Sequence, residues 1–138
     1  MAADFLPYGR QFIDESDIEA VVEVLRGDWL TTGPAVAAFE HDFAAMTGAQ
    51  HAIACSNGTT ALHLALAGLG VGEGDVCIVP AITFMATSNA AIYCGADVVF
   101  SDVDPDTGLM TPDNLRAALI KSGGRAKVVL PVHLSGQC

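Results

Sequence analysis

The sequence predicts an α/β fold: three layers, with a mostly parallel sheet carrying helices on both faces. Two observations predict it. From residue 51 onward, short apolar runs alternate with helical stretches. Those runs are nearly continuous in Ala, Val, Ile and Cys, the pattern of strands covered on both faces.

The first fifty residues read as a helical segment. Ser16-Asp17-Ile18-Glu19 has capping-box spacing, in which the end side chains satisfy each other's backbone N–H. Ile18, Val21, Val22 and Leu25 follow at i, i+3, i+4, i+7, and Gly27 stops that helix. A second helix starts at Gly33-Pro34, with proline in the first turn. Its apolar face is Val36, Phe39, Phe43 and Met46, and Gly48 ends it. Residues 51–138 then read β-α-β-α-β-α-β. Strands are expected at 51–55, 75–80, 97–103 and 126–133, and helices at 59–69, 84–94 and 112–121. Thr111 caps the last of these helices, ahead of Pro112 and Asp113. Such a series implies a parallel, doubly wound sheet with right-handed crossovers, and ligands bind at the carboxyl ends of its strands.

Composition narrows the function. The chain has 138 residues, 51% hydrophobic and only 16% charged. That is apolar for a lone domain, and it implies faces covered by partner chains or by further sequence. Net charge is −10, from 16 acidic and 6 basic residues, so the basic footprint of nucleic-acid binding is missing. The apolar runs break at Gly, Pro or Asp before they could span a bilayer, and the start lacks secretory-signal features. Cysteines 55, 77, 94 and 138 form no C-x-x-C pair, and three lie in apolar segments. The expectation is reduced, buried thiols in a cytoplasmic protein, and no metal site.

Three loops lie at the expected ligand edge. In Ser56-Asn57-Gly58-Thr59-Thr60, a helix start offers free N–H groups, two hydroxyls and a positive dipole end. A phosphate suits it, and so does plain capping by Ser56, Asn57 and Thr59. Phe84, in Pro80-Ala81-Ile82-Thr83-Phe84, suits stacking on a planar ring or ordinary core packing. Asp104-Pro105-Asp106-Thr107-Gly108 is turn chemistry. His133 ends the fourth strand near the same edge, as a ligand contact or as a satisfied strand end. Upstream, Asp28-Trp29-Leu30-Thr31-Thr32-Gly33-Pro34 holds the one tryptophan, which suits a sugar or nucleotide, or plugs a helix corner.

Taken in order, these blocks resemble the sugar-nucleotide aminotransferases of the DegT/DnrJ/EryC1/StrS family. The matching blocks are Tyr8-Gly9-Arg10-Gln11, Trp29 to Pro34, Phe39-Glu40, Ser56 to His63, Pro80 to Phe84, Tyr93 to Ala96, Asp102 to Asp104 and Pro131 to Gln137. The resemblance implies the fold-type-I large domain of pyridoxal-phosphate (PLP) enzymes, and looks strongest to the pseudaminic-acid branch. It implies amination of C4 of a UDP-linked 4-keto-6-deoxy-N-acetylhexosamine, with glutamate as donor. By family match, Gly58, Thr59 and Thr60 hold the PLP phosphate and Phe84 stacks on its ring. Tyr8 and the stretch Asp28, Trp29, Leu30 and Thr31 approach the sugar nucleotide. The assembly implied is a homo-oligomer.

The same resemblance implies what lies elsewhere. The family's catalytic lysine, and the carboxylate that grips the pyridine nitrogen, match positions beyond Cys138. The chain therefore reads as the N-terminal part of such an enzyme, with no catalytic residue of its own and no transaminase activity alone. Lys121 and Lys127 should sit at the amino edge of the sheet, one ten-residue helix, or about 15 Å, from the cofactor edge. Strand 51–55 should lack its neighbours, which invites rearranged pairing, swapping or oligomerisation. Two other readings stand beside this one: a non-catalytic phosphate- or nucleotide-binding module, and a truncated gene product with no role of its own.

Overall fold

The computed structural model describes residues 9–138. The chain divides into two compact units, the first ending at Ala54 and the second spanning Cys55–Cys138.

The first unit carries helices α1 (Glu15–Arg26) and α2 (Pro34–Thr47). The box that starts α1 is not Ser16 with Glu19 but Asp14 with Asp17. Asp14 accepts from the N–H groups of Ser16 and Asp17, and Asp17 Oδ2 accepts the Asp14 N–H at 3.0 Å. Aspartate caps as well as serine does, so the earlier site wins and Ser16 falls inside the helix. Gly27 caps its end, as expected. Pro34 opens α2, and Gly48 closes it with φ of 72°, a left-handed geometry that glycine adopts without strain. Both apolar faces lie open: Leu25 is 64% exposed and Met46 75%. Only Ala44 is buried in α2.

No ladder forms at 51–55 among the described residues, which corrects the first expected strand. A buried strand needs a neighbour on each side, and none is supplied there. The Ala54 N–H goes instead to Glu40 Oε1 at 2.8 Å.

The second unit runs α3 (Gly58–Gly68), β1 (Val76–Pro80), α4 (Ala86–Tyr93), β2 (Asp97–Ser101), α5 (Pro112–Lys121) and β3 (Ala126–Val129). A 3-10 turn follows at Leu134–Gly136. The sheet has three parallel strands in the order β2-β1-β3. The chain steps from β1 to β2, then doubles back over β1 to β3. Right-handed crossovers in opposite directions place α4 and α5 on opposite faces. Packing agrees: Leu66 of α3 with Ala90 and Ala91 of α4 cluster on Cys77, Val98 and Val128, without a residue of α5. Ala118 of α5 is also buried, and α5 packs on β2 and β1. All five residues of β1 are buried, the pattern of a central parallel strand.

Strands β2 and β3 stop short of the expected 103 and 133. Beyond β2, Asp102 turns back to take the Val103 N–H at 2.9 Å. Beyond β3, Leu130 gives its N–H to Ile78, and Pro131 then has none to give. Helix α5 opens on a capping box, Thr111 with Asn114. The thiols also differ from expectation. All four are free, but only Cys77 is buried, while Cys55 and Cys138 are exposed. Burial pushes the Cys77 thiol pKa up.

Candidate functional site: the start of α3 and the carboxyl edge of the sheet

Helix α3 ends beside the amino edge of the sheet. Lys127 at the start of β3 gives its ammonium to Gly70 O at 2.6 Å and to Asp75 Oδ2 at 2.8 Å. Asp75 also accepts the Gly72 N–H at 3.0 Å. These bonds, Lys127's first, hold the Asp75 carboxyl below its usual range. With its far end fixed there, the 11-residue α3 sets Gly58 about 16 Å away, toward the carboxyl edge.

The local sequence decides how α3 starts. Asn57 is the N-cap in extended conformation, and its carbonyl takes the first helical bond from Ala61 at 3.0 Å. Its side-chain Oδ1 accepts the Thr60 N–H at 2.9 Å and the Thr60 hydroxyl at 3.1 Å. Its Nδ2 donates to Ser56 Oγ at 3.2 Å. Among the described residues, the N–H groups of Gly58 and Thr59 have no acceptor. Gly58 is exposed, and a Cβ built on it meets nothing within 4 Å. Capping and free donors therefore coexist. The cap consumes one N–H, and two remain free at the positive end of the helix.

Phe84 follows β1 at that edge and is 74% exposed. Ordinary core packing is not its role within this unit. Its carbonyl accepts the Thr87 N–H at 2.9 Å, and Thr83 and Thr87 join their hydroxyls at 2.9 Å, so the loop that carries it is pinned.

The loop after β2 is the turn the sequence predicts. Asp104 Oδ1 accepts from the N–H groups of Asp106 and Thr107 and from the Thr107 hydroxyl. Those bonds, the Thr107 N–H first, hold its carboxyl low. This loop does more than turn. Leu109 and Met110 wall a cavity of about 140 Å³ with Pro131, Val132, His133 and Cys138. Gly108, with φ of 70°, lets the loop approach; a Cβ there would lie 2.7 Å from Leu134 Cδ2. A glycine beside a turn aspartate was the available signal for this close approach. His133 is exposed and lines the cavity, with Nδ1 at 3.9 Å from Cys138 Sγ.

Asp28, Trp29, Leu30 and Thr31 belong to the first unit and are all exposed. Trp29, at 64% exposed, does not plug the helix corner, although its Cβ lies so close to Gly33 that only glycine fits there. Tyr8 lies outside the described residues. Lys121 ends α5, and Lys127 begins β3, both at the amino edge as expected. Among the described residues no helix is long and apolar enough to cross a membrane, and no His/Cys/Asp/Glu cluster could hold a metal.

The pattern for the DegT/DnrJ/EryC1/StrS aminotransferase family matches residues 11–138. A UDP-4-amino-4-deoxy-L-arabinose–oxoglutarate aminotransferase of Shewanella sediminis is 46% identical over 136 residues, 99% of this chain and 34% of that protein. The spore coat polysaccharide biosynthesis protein SpsC of Bacillus subtilis is 44% identical over 96% of this chain and 33% of its own length. Among solved structures, the sugar aminotransferase Spr1654 of Streptococcus pneumoniae superposes with TM-score 0.87 at 35% identity. The match covers 96% of this chain and 33% of that one. Spr1654 was solved in PLP and PMP forms, so the cofactor expected from the sequence is the one a solved relative takes. The chain spans about a third of the length of the curated relatives it matches. The chain belongs to the DegT/DnrJ/EryC1/StrS aminotransferase family.

Proposed function

We propose that this chain supplies the phosphate- and ring-holding part of a PLP-dependent sugar-nucleotide aminotransferase. One observation carries the reading: α3 starts with two N–H groups, on the exposed Gly58 and on Thr59, that no group among the described residues accepts. The residues present fit a phosphorylated flat ring. Gly58 and Thr59 give N–H groups to the phosphate and the Thr59 hydroxyl flanks it; the Thr60 hydroxyl, which donates to Asn57 Oδ1, joins them by turning from that bond to the phosphate. Phe84, exposed at the carboxyl edge, gives the ring a face. Bound there, PLP supplies the electron sink that lets an amino group pass from donor to keto sugar. Tyr8 and Asp28 to Thr31 are assigned to the sugar nucleotide, and the assembly to a cytoplasmic homo-oligomer.

The substrate class is a nucleotide-linked 4-keto sugar, with glutamate as amino donor. The pseudaminic-acid branch points to the UDP-linked 4-keto-6-deoxy-N-acetylhexosamine. The Shewanella relative, named for a UDP-linked aminopentose, points to the pentose, so both sugars belong in the assay. The 138-residue chain alone does not transaminate. Its two lysines, Lys121 and Lys127, both lie at the amino edge, and Lys127 is committed to Gly70 and Asp75.

The test compares pyridoxamine 5′-phosphate with pyridoxamine, by amide chemical shifts of the 15N-labelled chain. Neither probe has an aldehyde to react with surface lysines. Gly58 and Thr59 should shift with the phosphorylated probe and stay still with the other. Equal responses, or none at these two amides, would overturn the assignment. Amination of either keto sugar by the chain with PLP and glutamate would overturn the predicted inactivity.

A further inference from the structure

We infer that Thr32 is a positioning residue: its strained turn holds the Trp29 indole outward as a preformed stacking face for a ring of the ligand, a role that rests on the sugar-nucleotide reading of Asp28 to Thr31. Thr32 has φ of 49°, inside the left-handed region, where a β-branched side chain is an outlier. Glycine would take that backbone without strain, but the glycine of this turn stands one position later. Gly33 is itself extended, so its missing Cβ serves space and not backbone freedom. A Cβ there would lie 2.8 Å from Trp29 Cβ and 3.3 Å from the Trp29 carbonyl oxygen.

Both flanks of the turn are fixed. Upstream, the Gly27 N–H closes α1 on the carbonyls of Glu23 and Val24, each at 3.1 Å. Downstream, Pro34 keeps the residue before it out of helical backbone, and the Gly33 carbonyl accepts the Val36 N–H at 3.1 Å. The reversal therefore falls on the residues between. The Thr32 hydroxyl supports it by donating to the Thr31 carbonyl at 2.8 Å. Strain of this kind persists only where the surroundings impose it, and it gathers at ligand clamps and switches. What it holds here is the stem of Trp29, set against Gly33 while the residue stays 64% exposed. An indole fixed at its stem and open on its ring has already lost freedom that stacking would otherwise remove.

Trp29 is the one tryptophan in the chain, so its fluorescence reads the turn directly. Thr32→Val keeps the β-branch and deletes the hydroxyl bond. Its Trp29 anisotropy should fall, and quenching by acrylamide should rise. A ring then held only a third of the time would bind UDP about 3-fold more weakly. Thr32→Asn suits left-handed backbone without the branch. It should keep wild-type anisotropy and UDP affinity, with a melting temperature at or above wild type. Gly33→Ala should drive the stem away and shift the emission maximum. Wild-type anisotropy and quenching in Thr32→Val, or an unmoved emission in Gly33→Ala, would overturn the inference. So would an anisotropy loss in Thr32→Asn as large as in Thr32→Val. A wild-type Trp29 signal that ignores UDP, in a chain whose variants otherwise behave as expected, would sink the sugar-nucleotide assignment and leave the hold on Trp29 standing.

Discussion

Replacing Gly58 by alanine should raise stability and lower ligand affinity together. Gly58 is the first residue of α3, its φ is not left-handed, and an added Cβ meets nothing within 4 Å. A Gly→Ala change at a compatible site stabilises by about 0.4–1 kcal/mol, chiefly by restricting the unfolded chain. For a chain this size that is a melting-temperature rise of about 1–4 °C. The same Cβ leans toward the helix N-terminus, the side from which an anion approaches. Losing the helix-start contact costs about 0.3–2 kcal/mol of binding. The dissociation constant for pyridoxamine 5′-phosphate should rise by roughly 2- to 30-fold. Calorimetric melting and probe titration on the same preparation measure both. Unchanged affinity in a stabilised variant would show that the phosphate does not sit at this helix start. A fall of several degrees would show that the space beyond Gly58 is not open.

Other outcomes follow from the described contacts. Thr111→Ala removes the hydroxyl that accepts the Asn114 N–H at the start of α5, and should cost about 1 kcal/mol in urea unfolding; no change in midpoint would show the box to be idle. Lys127→Met tests the clasp at the amino edge. Asp75 has a depressed pKa, so its contribution is present above the ordinary value of 3.8 and lost as pH falls through its lower folded value. Wild type should therefore outlast the variant at neutral pH, and the gap should close below 3.8. A gap constant from neutral pH down to acid would show that Lys127 acts through its stem packing instead. Gly108→Ala should destabilise the loop after β2, because it meets both a φ of 70° and Leu134 Cδ2 at 2.7 Å. Left-handed backbone alone costs a non-glycine residue about 1 kcal/mol; an unchanged melting temperature would mean that the loop yields freely.

Local chemistry made most of the helices legible. Pro34 and Gly48 bracket α2, and Thr111-Pro112 opens α5, because each signal acts on its own neighbours and needs nothing from elsewhere in the chain. The miss at α1 was a competition between two local caps, Asp14 and Ser16, two residues apart. The run at 51–55 failed for another reason. A strand is a property of a pair, and His51-Ala52-Ile53-Ala54-Cys55 has strand composition without a partner among the described residues. Exposure was likewise unreadable from pattern. Ile18, Val21 and Leu25 are spaced to face a core, yet they lie open, because spacing tells which face is apolar and not what covers it.

The site divides along the same line. That α3 starts with free donors was legible in Gly58-Thr59-Thr60, because small residues at a helix start leave N–H groups unclaimed. Which donors stay free was not. Ser56, Asn57 and Thr59 all have the chemistry to cap, and only geometry shows Asn57 taking the Thr60 N–H. Once that bond is placed, capping and ligand binding stop being rival explanations. A cap that consumed every N–H would close the site, and a start with no cap would fray and lose the alignment of its dipole. One neutral side chain that claims a single N–H satisfies the helix and still leaves two adjacent donors, the minimum that can grip two oxygens of one phosphate.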